Sequence, residues 1–278
     1  MDNSVPANAP SFTHDSDELA ADYDRVSATR QFQSGKRLVH DLAIRPGERV
    51  LDIGCGTGLL AEHIADLVGP AGHVLGIDPL PARIELARTK LKSRRHANLA
   101  FRVGDAYDLG ALADGSLDVV VLNAVFHWLP EKIGPLGACA RVLRQGGRIG
   151  ISTGLKGNTT DVHRLMAEAM AEPPFDRYPF TRRSVTFRVD SAEMRALFEA
   201  TGFAATLVEE RPSEHSYASP EAVVRYSEAS SFGNLFAHLP DALKPAAREA
   251  MARRLAGISS PHGIVQRSQR LVAVAVRR

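Results

Sequence analysis

A chain of 278 residues with 44% hydrophobic content can bury one sizeable core and some additions to it. A formal net charge of +2 builds no large field, and the basic pairs Arg94-Arg95, Arg182-Arg183, Arg253-Arg254 and Arg277-Arg278 are scattered and lack interleaved aromatics, which argues against a nucleic-acid-binding face. Two cysteines make no disulfide framework and point to a reducing, cytoplasmic setting, and no apolar run reaches membrane-spanning length.

In chain order, residues 1–15 are polar and rich in Asn, Pro and Ser, and read as a mobile tail. One or two helices follow over about 17–44, ending before Pro46-Gly47. Arg49 to Ile53 is short, apolar and β-branched, as a central parallel strand should be. The glycine turn Gly54-Cys55-Gly56-Thr57-Gly58 then leads into Leu59 to Val68, whose apolar residues recur at helical spacing. Three further strands end in polar residues: Val74 to Asp78, Leu99 to Asp105, and Leu117 to Asn123. Helices are predicted over 81–93 and from Pro130 to about Leu143, stopped by Gly146-Gly147. Gly147 to Thr153 reads as a fifth strand, 191–201 as a helix with a Ser191 cap, and 203–209 as a sixth strand. Gln269 to Val276 alternates and reads as a seventh, antiparallel edge strand. Strands alternating with helices predict a parallel α/β sheet.

The glycine spacing limits the ligand. A dinucleotide fingerprint needs G-x-G-x-x-G, and its third glycine would fall at Leu59. No Gly-Lys-Ser/Thr follows, so a phosphate-cradling P-loop is excluded as well. Asp78 stands about 20 residues beyond the glycines, where an acid can bond ribose hydroxyls. An alternative role for Asp78 is to cap the helix that enters through Pro79-Leu80-Pro81.

With LDIGCGTG at 51–58, GIDP at 76–79, GDA at 104–106 and RVLRQGGRIGIST at 141–153, the chain resembles the class I S-adenosylmethionine (SAM)-dependent methyltransferases of the small-molecule type. It is similar to the ubiquinone/menaquinone C-methyltransferases and to natural-product methyltransferases. The resemblance covers Arg49 to Thr153 and is only general elsewhere. It implies an α/β, Rossmann-like, seven-stranded, mostly parallel sheet with an antiparallel last strand and helical lid insertions. The expected division is a tail (1–15), N-terminal cap helices (16–45), a SAM-binding core (46–153), a first insertion (154–190), a core helix and strand (191–210), a helical lid insertion (211–263) and the last core strand (264–278).

The resemblance also implies roles. Gly54 and Gly56 pass under the methionine part of SAM with Cys55 between them, and Asp52 braces the turn. Asp78 takes the ribose hydroxyls, and Leu80 covers the adenine. Asp105 and the Ala106 backbone read the adenine edge, and the Asn123 main chain lies near the amino-acid end. Tyr23 and Gln33 belong to the N-terminal cap, where the match is loose. The implied activity is methyl transfer from SAM to a small organic acceptor, leaving S-adenosylhomocysteine (SAH). A SAM-binding protein that transfers no methyl group is the other reading. Asn123-Ala124-Val125-Phe126 departs from the Asn-Pro-Pro-Tyr/Phe pattern of amino-methylating nucleic-acid and protein enzymes.

His127, in Ala124-Val125-Phe126-His127-Trp128-Leu129-Pro130, follows the fourth strand at the carboxyl end of the sheet, where ligands bind. It is the candidate catalytic group, with an imidazole able to take a proton or orient the acceptor. Trp128, Phe175, Tyr178, Phe232 and Phe236 are the other candidates for an acceptor pocket. The apolar lid favours an aromatic or polyketide-like acceptor over a highly charged one. The ten histidines show no zinc-ligand spacing, so no metal is expected. Oligomeric state is left open.

Overall fold

The structure, a computed structural model, describes residues 16–93, 96–179 and 186–278; the expected tail and the pairs Arg94-Arg95 and Arg182-Arg183 lie outside the described residues. The strands β1 (Arg49–Ile53), β2 (His73–Asp78), β3 (Leu99–Val103), β4 (Leu117–Asn123) and β5 (Leu143–Gly154) are parallel. With β6 (Phe203–Tyr217) and β7 (Ile264–Arg277) they form one sheet in the order β3-β2-β1-β4-β5-β7-β6. The topology switches between β1 and β4, so the carboxyl ends of these strands open a crevice at that point.

β7 runs antiparallel to both β5 and β6, so it is an inner strand and not the expected edge. Its run Leu271 to Ala275 is buried on both faces, which is why it reads as nearly continuous apolar sequence. β6 is also longer than its apolar part. From Arg211 to Tyr217, where a helical insertion is expected, the chain continues as strand, paired with Ile264 to Arg270 of β7. The two strands project beyond the sheet as a ribbon.

Helices cover both faces. α2 (Thr29–Asp41), α3 (Leu59–Val68) and α4 (Pro81–Ser93) pack one core against Val50, Val74, Val119 and Val121. α5 (Ile133–Val142) and α7 (Ser191–Ala200) pack the other against Leu51, Ile77, Val120 and Ile149. α5 starts later than Pro130, because Phe126–Trp128 forms a 3-10 turn first. α7 is capped by Asp190 and not Ser191: the Asp190 carboxylate accepts from the Ala192 and Glu193 N–H, and Glu193 returns a bond to the Asp190 N–H.

Over the carboxyl end of the sheet, α6 (Asp161–Met170), α8 (Pro220–Ser230) and α9 (Lys244–Ala256) share a separate core with Tyr217 and Ile264 of the ribbon. From the N-terminal side, α1 (Asp17–Tyr23) continues through a π-turn at Asp24–Ala28 into α2. The π-turn places Asp24 against the Thr57 hydroxyl of the glycine turn and the Lys90 ammonium of α4.

The end of α2 is fastened to the sheet by a nearly buried ion pair. Arg148 donates to both Glu48 carboxylate oxygens, at 2.9 and 2.7 Å, and to the Leu42 carbonyl at 2.8 Å. Removing one partner leaves the other charge uncompensated. Glu48→Ala is expected to lower the stability of the fold by about 3 kcal/mol, read as a shifted urea midpoint. A loss within the scatter of surface substitutions would show that the pair fastens nothing.

Candidate active site

The cap, the sheet ends, the ribbon and the lid helices enclose a cavity of about 890 Å³. Its floor is the glycine turn. Gly54 has φ +70°, and a Cβ there would lie 2.2 Å from Val125 Cγ2. That position therefore needs glycine for its backbone and for its space. A Cβ on Gly56 would lie 3.1 Å from the Tyr23 ring, which closes over the turn from the cap.

Asp78 ends β2 with its carboxylate built into this floor. One oxygen accepts from the Gly56 N–H at 2.9 Å and the other from the Leu80 N–H at 3.0 Å. The capping role and a ligand role are compatible, because each carboxylate oxygen has a second lone pair. Asp105 likewise accepts from the Tyr107 and Asp108 N–H groups through Oδ1 and lines the cavity beside Ala106.

Beneath the turn lies a recess of about 30 Å³, bordered by Asp52, Cys55, Gln31 and Asn123. Two buried acceptors there have no partner among the described residues: Asp52 Oδ2 and Asn123 Oδ1. Asn123 donates its Nδ2–H to the Gln31 carbonyl at 2.8 Å, which fixes the amide with its oxygen unpaired. Burial, and after it the Asp78 charge, pushes the Asp52 carboxyl up to about 8. Burial also holds the Cys55 thiol and the Tyr23 phenol above their ordinary values, so both stay protonated. Unpaired buried acceptors are costly. These two fit a small cationic group such as the ammonium of SAM.

On the far side of the floor, His127 Nδ1 meets the buried Thr153 hydroxyl at 2.9 Å, and the His127 carbonyl accepts from the Phe187 N–H at 2.7 Å. Trp128 packs edge-on to Phe232, with ring centroids 4.8 Å apart. The loop is held from below by Lys132, whose ammonium donates to the Phe126 and Leu129 carbonyls.

Of the residues singled out in the sequence, Tyr23, Gly54, Gly56, Asp78, Asp105, Ala106, Asn123, His127, Trp128 and Phe232 border the cavity, and Asp52 and Cys55 border the recess. Gln33 does not. It points outward on α2, and Gln31, two residues earlier and on the opposite face of the helix, takes the inward position. Leu80 is buried in packing away from the cavity wall. Phe175 and Phe236 are buried in the lid core, with Tyr178 packed against it. None of the three lies on the cavity wall.

Several lining residues escaped sequence reading. Arg83 is 2% exposed, with its guanidinium 4.0 Å from the Tyr23 ring centroid and 4.7 Å from that of Phe232, and it donates to the Ala229 carbonyl at 3.2 Å. It joins cap, core and lid across the cofactor end. Arg188, His215, Tyr226 and Arg270 line the opposite end. A basic residue in the first turn of α4, set against the helix dipole, was the available signal for Arg83.

Residues 44–199 match the profile of the methyltransferase domain family, and the chain belongs to that family. It is 43% identical over 110 residues to an arsenite methyltransferase of Halobacterium salinarum, covering 40% of this chain and 28% of that protein. It is 38% identical over 137 residues to the aklanonic acid methyltransferase DauC of Streptomyces sp. strain C5, covering 49% and 62%. The chain thus spans less than two thirds of either relative. Among solved structures, the YcgJ protein of Bacillus subtilis superposes with a TM-score of 0.60 at 19% identity, over 88% of this chain and 98% of that one, which establishes a shared fold. Among the described residues no helix is long and apolar enough to cross a membrane.

Proposed function

We propose that the protein transfers the methyl group of SAM to a small organic acceptor held beneath the lid. The observation that carries this reading is the pair of unpartnered buried acceptors, Asp52 Oδ2 and Asn123 Oδ1, under a glycine turn that opens into a chamber large enough for two small molecules. Asp52 and Asn123 would hold the ammonium end of SAM, Asp78 its ribose, and Asp105 and Ala106 its adenine edge. When bound, SAM supplies an electrophilic methyl group on a sulfonium.

The chain's own contribution is placement. Lid, cap and ribbon enclose the acceptor and keep water out, and holding it in line is worth up to ~7–11 kcal/mol of barrier. Thr153 fixes the His127 ring at the rim of this chamber, where an imidazole can take a proton from the acceptor or orient it. Two free, buried thiols, Cys55 and Cys139, support a reducing, cytoplasmic setting.

Calorimetric titration with SAM, SAH and NAD tests the reading: the first two should bind and NAD should not. Failure to bind SAM or SAH would refute it. With an acceptor in hand, His127→Ala is expected to lower turnover roughly a hundredfold while the dissociation constant of SAH stays near that of the wild type. Unchanged turnover would take His127 out of the mechanism.

A further inference from the structure

Three consecutive residues at the carboxyl end of β5 each position a group in the cavity. Thr153 holds His127. Ser152 accepts from Arg270, through Oγ at 3.1 Å and its carbonyl at 3.2 Å. Gly154 leaves room for Arg188, since a Cβ there would stand 3.0 Å from Arg188 Nε. Arg188 donates to the Asn158 carbonyl at 3.2 Å, and its buried Nε has no partner among the described residues.

Both arginines therefore rest on neutral groups. Three other part-buried arginines of the fold are matched with acids, Arg148 with Glu48, Arg211 with Asp41 and Arg248 with Glu228, while Arg30 and Arg83 are packed on aromatic rings and donate to carbonyls. Among the described residues no carboxylate lies within ion-pair distance of Arg188 or Arg270. The wall contributed by α6, α8 and the ribbon contains no Asp or Glu. The acids that do border the cavity, Asp78, Asp105 and Glu131, each accept from backbone N–H groups near the cofactor end. Away from the cofactor end, Arg188 and Arg270 stand among Ser, Gln and Tyr side chains with no acid. Burial, aided by the Arg30 and Arg270 charges, pushes His215 down to about 4, and burial with the Arg188 charge holds Arg270 below its ordinary value.

Two like charges sharing a partly desolvated wall without an anion are unfavourable. A planar fork of donors on each is the usual way to grip a carboxylate or phosphate. We propose that the acceptor carries an oxyanion, a carboxylate or a phosphate, and that Arg188 and Arg270 hold it beside His127. The assignment rests on the methyl-transfer reading and narrows its substrate class. The body of the acceptor then lies along the apolar side of the chamber, formed by Trp128, Phe232 and Met166. This narrows the expectation of an aromatic or polyketide-like acceptor over a highly charged one: the apolar lid residues Phe175 and Phe236 are used up in the lid's own core, and Arg270 of the ribbon joins Arg188 on the cavity wall.

The test titrates SAH-loaded protein at low salt with 1-naphthoate, 1-naphthyl phosphate and the neutral 1-naphthamide. One or both anions should bind at least roughly tenfold tighter than the amide, with the advantage shrinking as sodium chloride is added. Which anion binds tells carboxylate from phosphate. Arg188→Gln and Arg270→Gln should each weaken anion binding roughly tenfold, and the double variant about a hundredfold, with SAH affinity retained. Equal binding of amide and anions, no anion binding by the SAH-loaded wild type, or anion binding indifferent to both substitutions would overturn the proposal. Should the variants not fold, the comparison of anion and amide in the wild type decides alone. Failure of SAH itself to bind, seen before any anion is added, sinks the methyl-transfer reading instead.

Discussion

Asp78→Ala is expected to weaken SAH binding by a factor of about a hundred or more and to abolish turnover. The carboxylate does two things at once. It anchors the glycine turn and the entry to α4 by accepting from the Gly56 and Leu80 N–H groups. It also ends β2 inside the cavity, 5% exposed, where its remaining lone pairs reach a ligand's hydroxyls. Alanine leaves two backbone donors without their acceptor, at about 1–3 kcal/mol each where they stay buried, and removes a charge-assisted bond of about 1.5–3 kcal/mol to the ligand. Only the second loss bears directly on affinity, but the first loosens the floor on which the ligand lies. Asp78→Asn separates them. Its amide oxygen still accepts one backbone bond, so thermal stability should recover more than affinity does. Calorimetry with SAH and a melting curve for each variant supply both readings. An alanine variant that binds SAH within threefold of the wild type would leave Asp78 a capping residue only.

The floor of the site was legible because its signals are local. β1 is a run of apolar, β-branched residues, and the turn after it carries alternate glycines that no other element would tolerate. The acids at the ends of β2 and β3 fall at the sheet's carboxyl edge once the strands are counted. The helical phase of the cap was not legible to one residue. Gln31 and Gln33 are equivalent in composition, and only the packing of Leu38 and Val39 on the sheet sets which one turns inward.

The ribbon was misread for a physical reason. Arg211 to Tyr217 contains a proline and four charged or titratable residues, so it lacks the apolar alternation of a half-buried strand. It is held by pairing with a segment some fifty residues later, Tyr217 with Ile264 and Ser213 with Ser268. Its period-two signal is polar: Ser213, His215 and Tyr217 face the cavity from β6, and Gln266, Ser268 and Arg270 from β7. A strand lining a polar chamber alternates in the same way as one facing a core, with polar groups on the inner side. That is also why nothing in the sequence singles out Arg270 as a site residue.

Cofactor affinity should depend on pH through Asp52. Its carboxyl is pushed up to about 8 by burial and then by the Asp78 charge, and its Oδ2 has no partner in the recess. Below that pH the carboxyl is protonated in the free protein. An ammonium placed against it favours the ionised form, so binding must expel the proton. SAH affinity is therefore expected to fall as pH is lowered from 8, approaching tenfold per unit and about fiftyfold between pH 8 and pH 6. Close to one proton should be released per site at pH 6.5, read by calorimetry in buffers of different ionisation enthalpy. The sign for the free protein is opposite to that of a salt-bridged acid. A carboxyl whose folded value lies above its unfolded one is a stabiliser while protonated, so that stability is lost as pH rises from about 4 through about 8. Asp52→Asn should abolish both dependences: weaker binding at pH 8, little further loss at pH 6, and no matching fall in thermal stability. The ligand's own amine titrates identically against both proteins, so the difference between the two curves isolates the carboxyl. Parallel curves would mean that Asp52 does not face the bound cation.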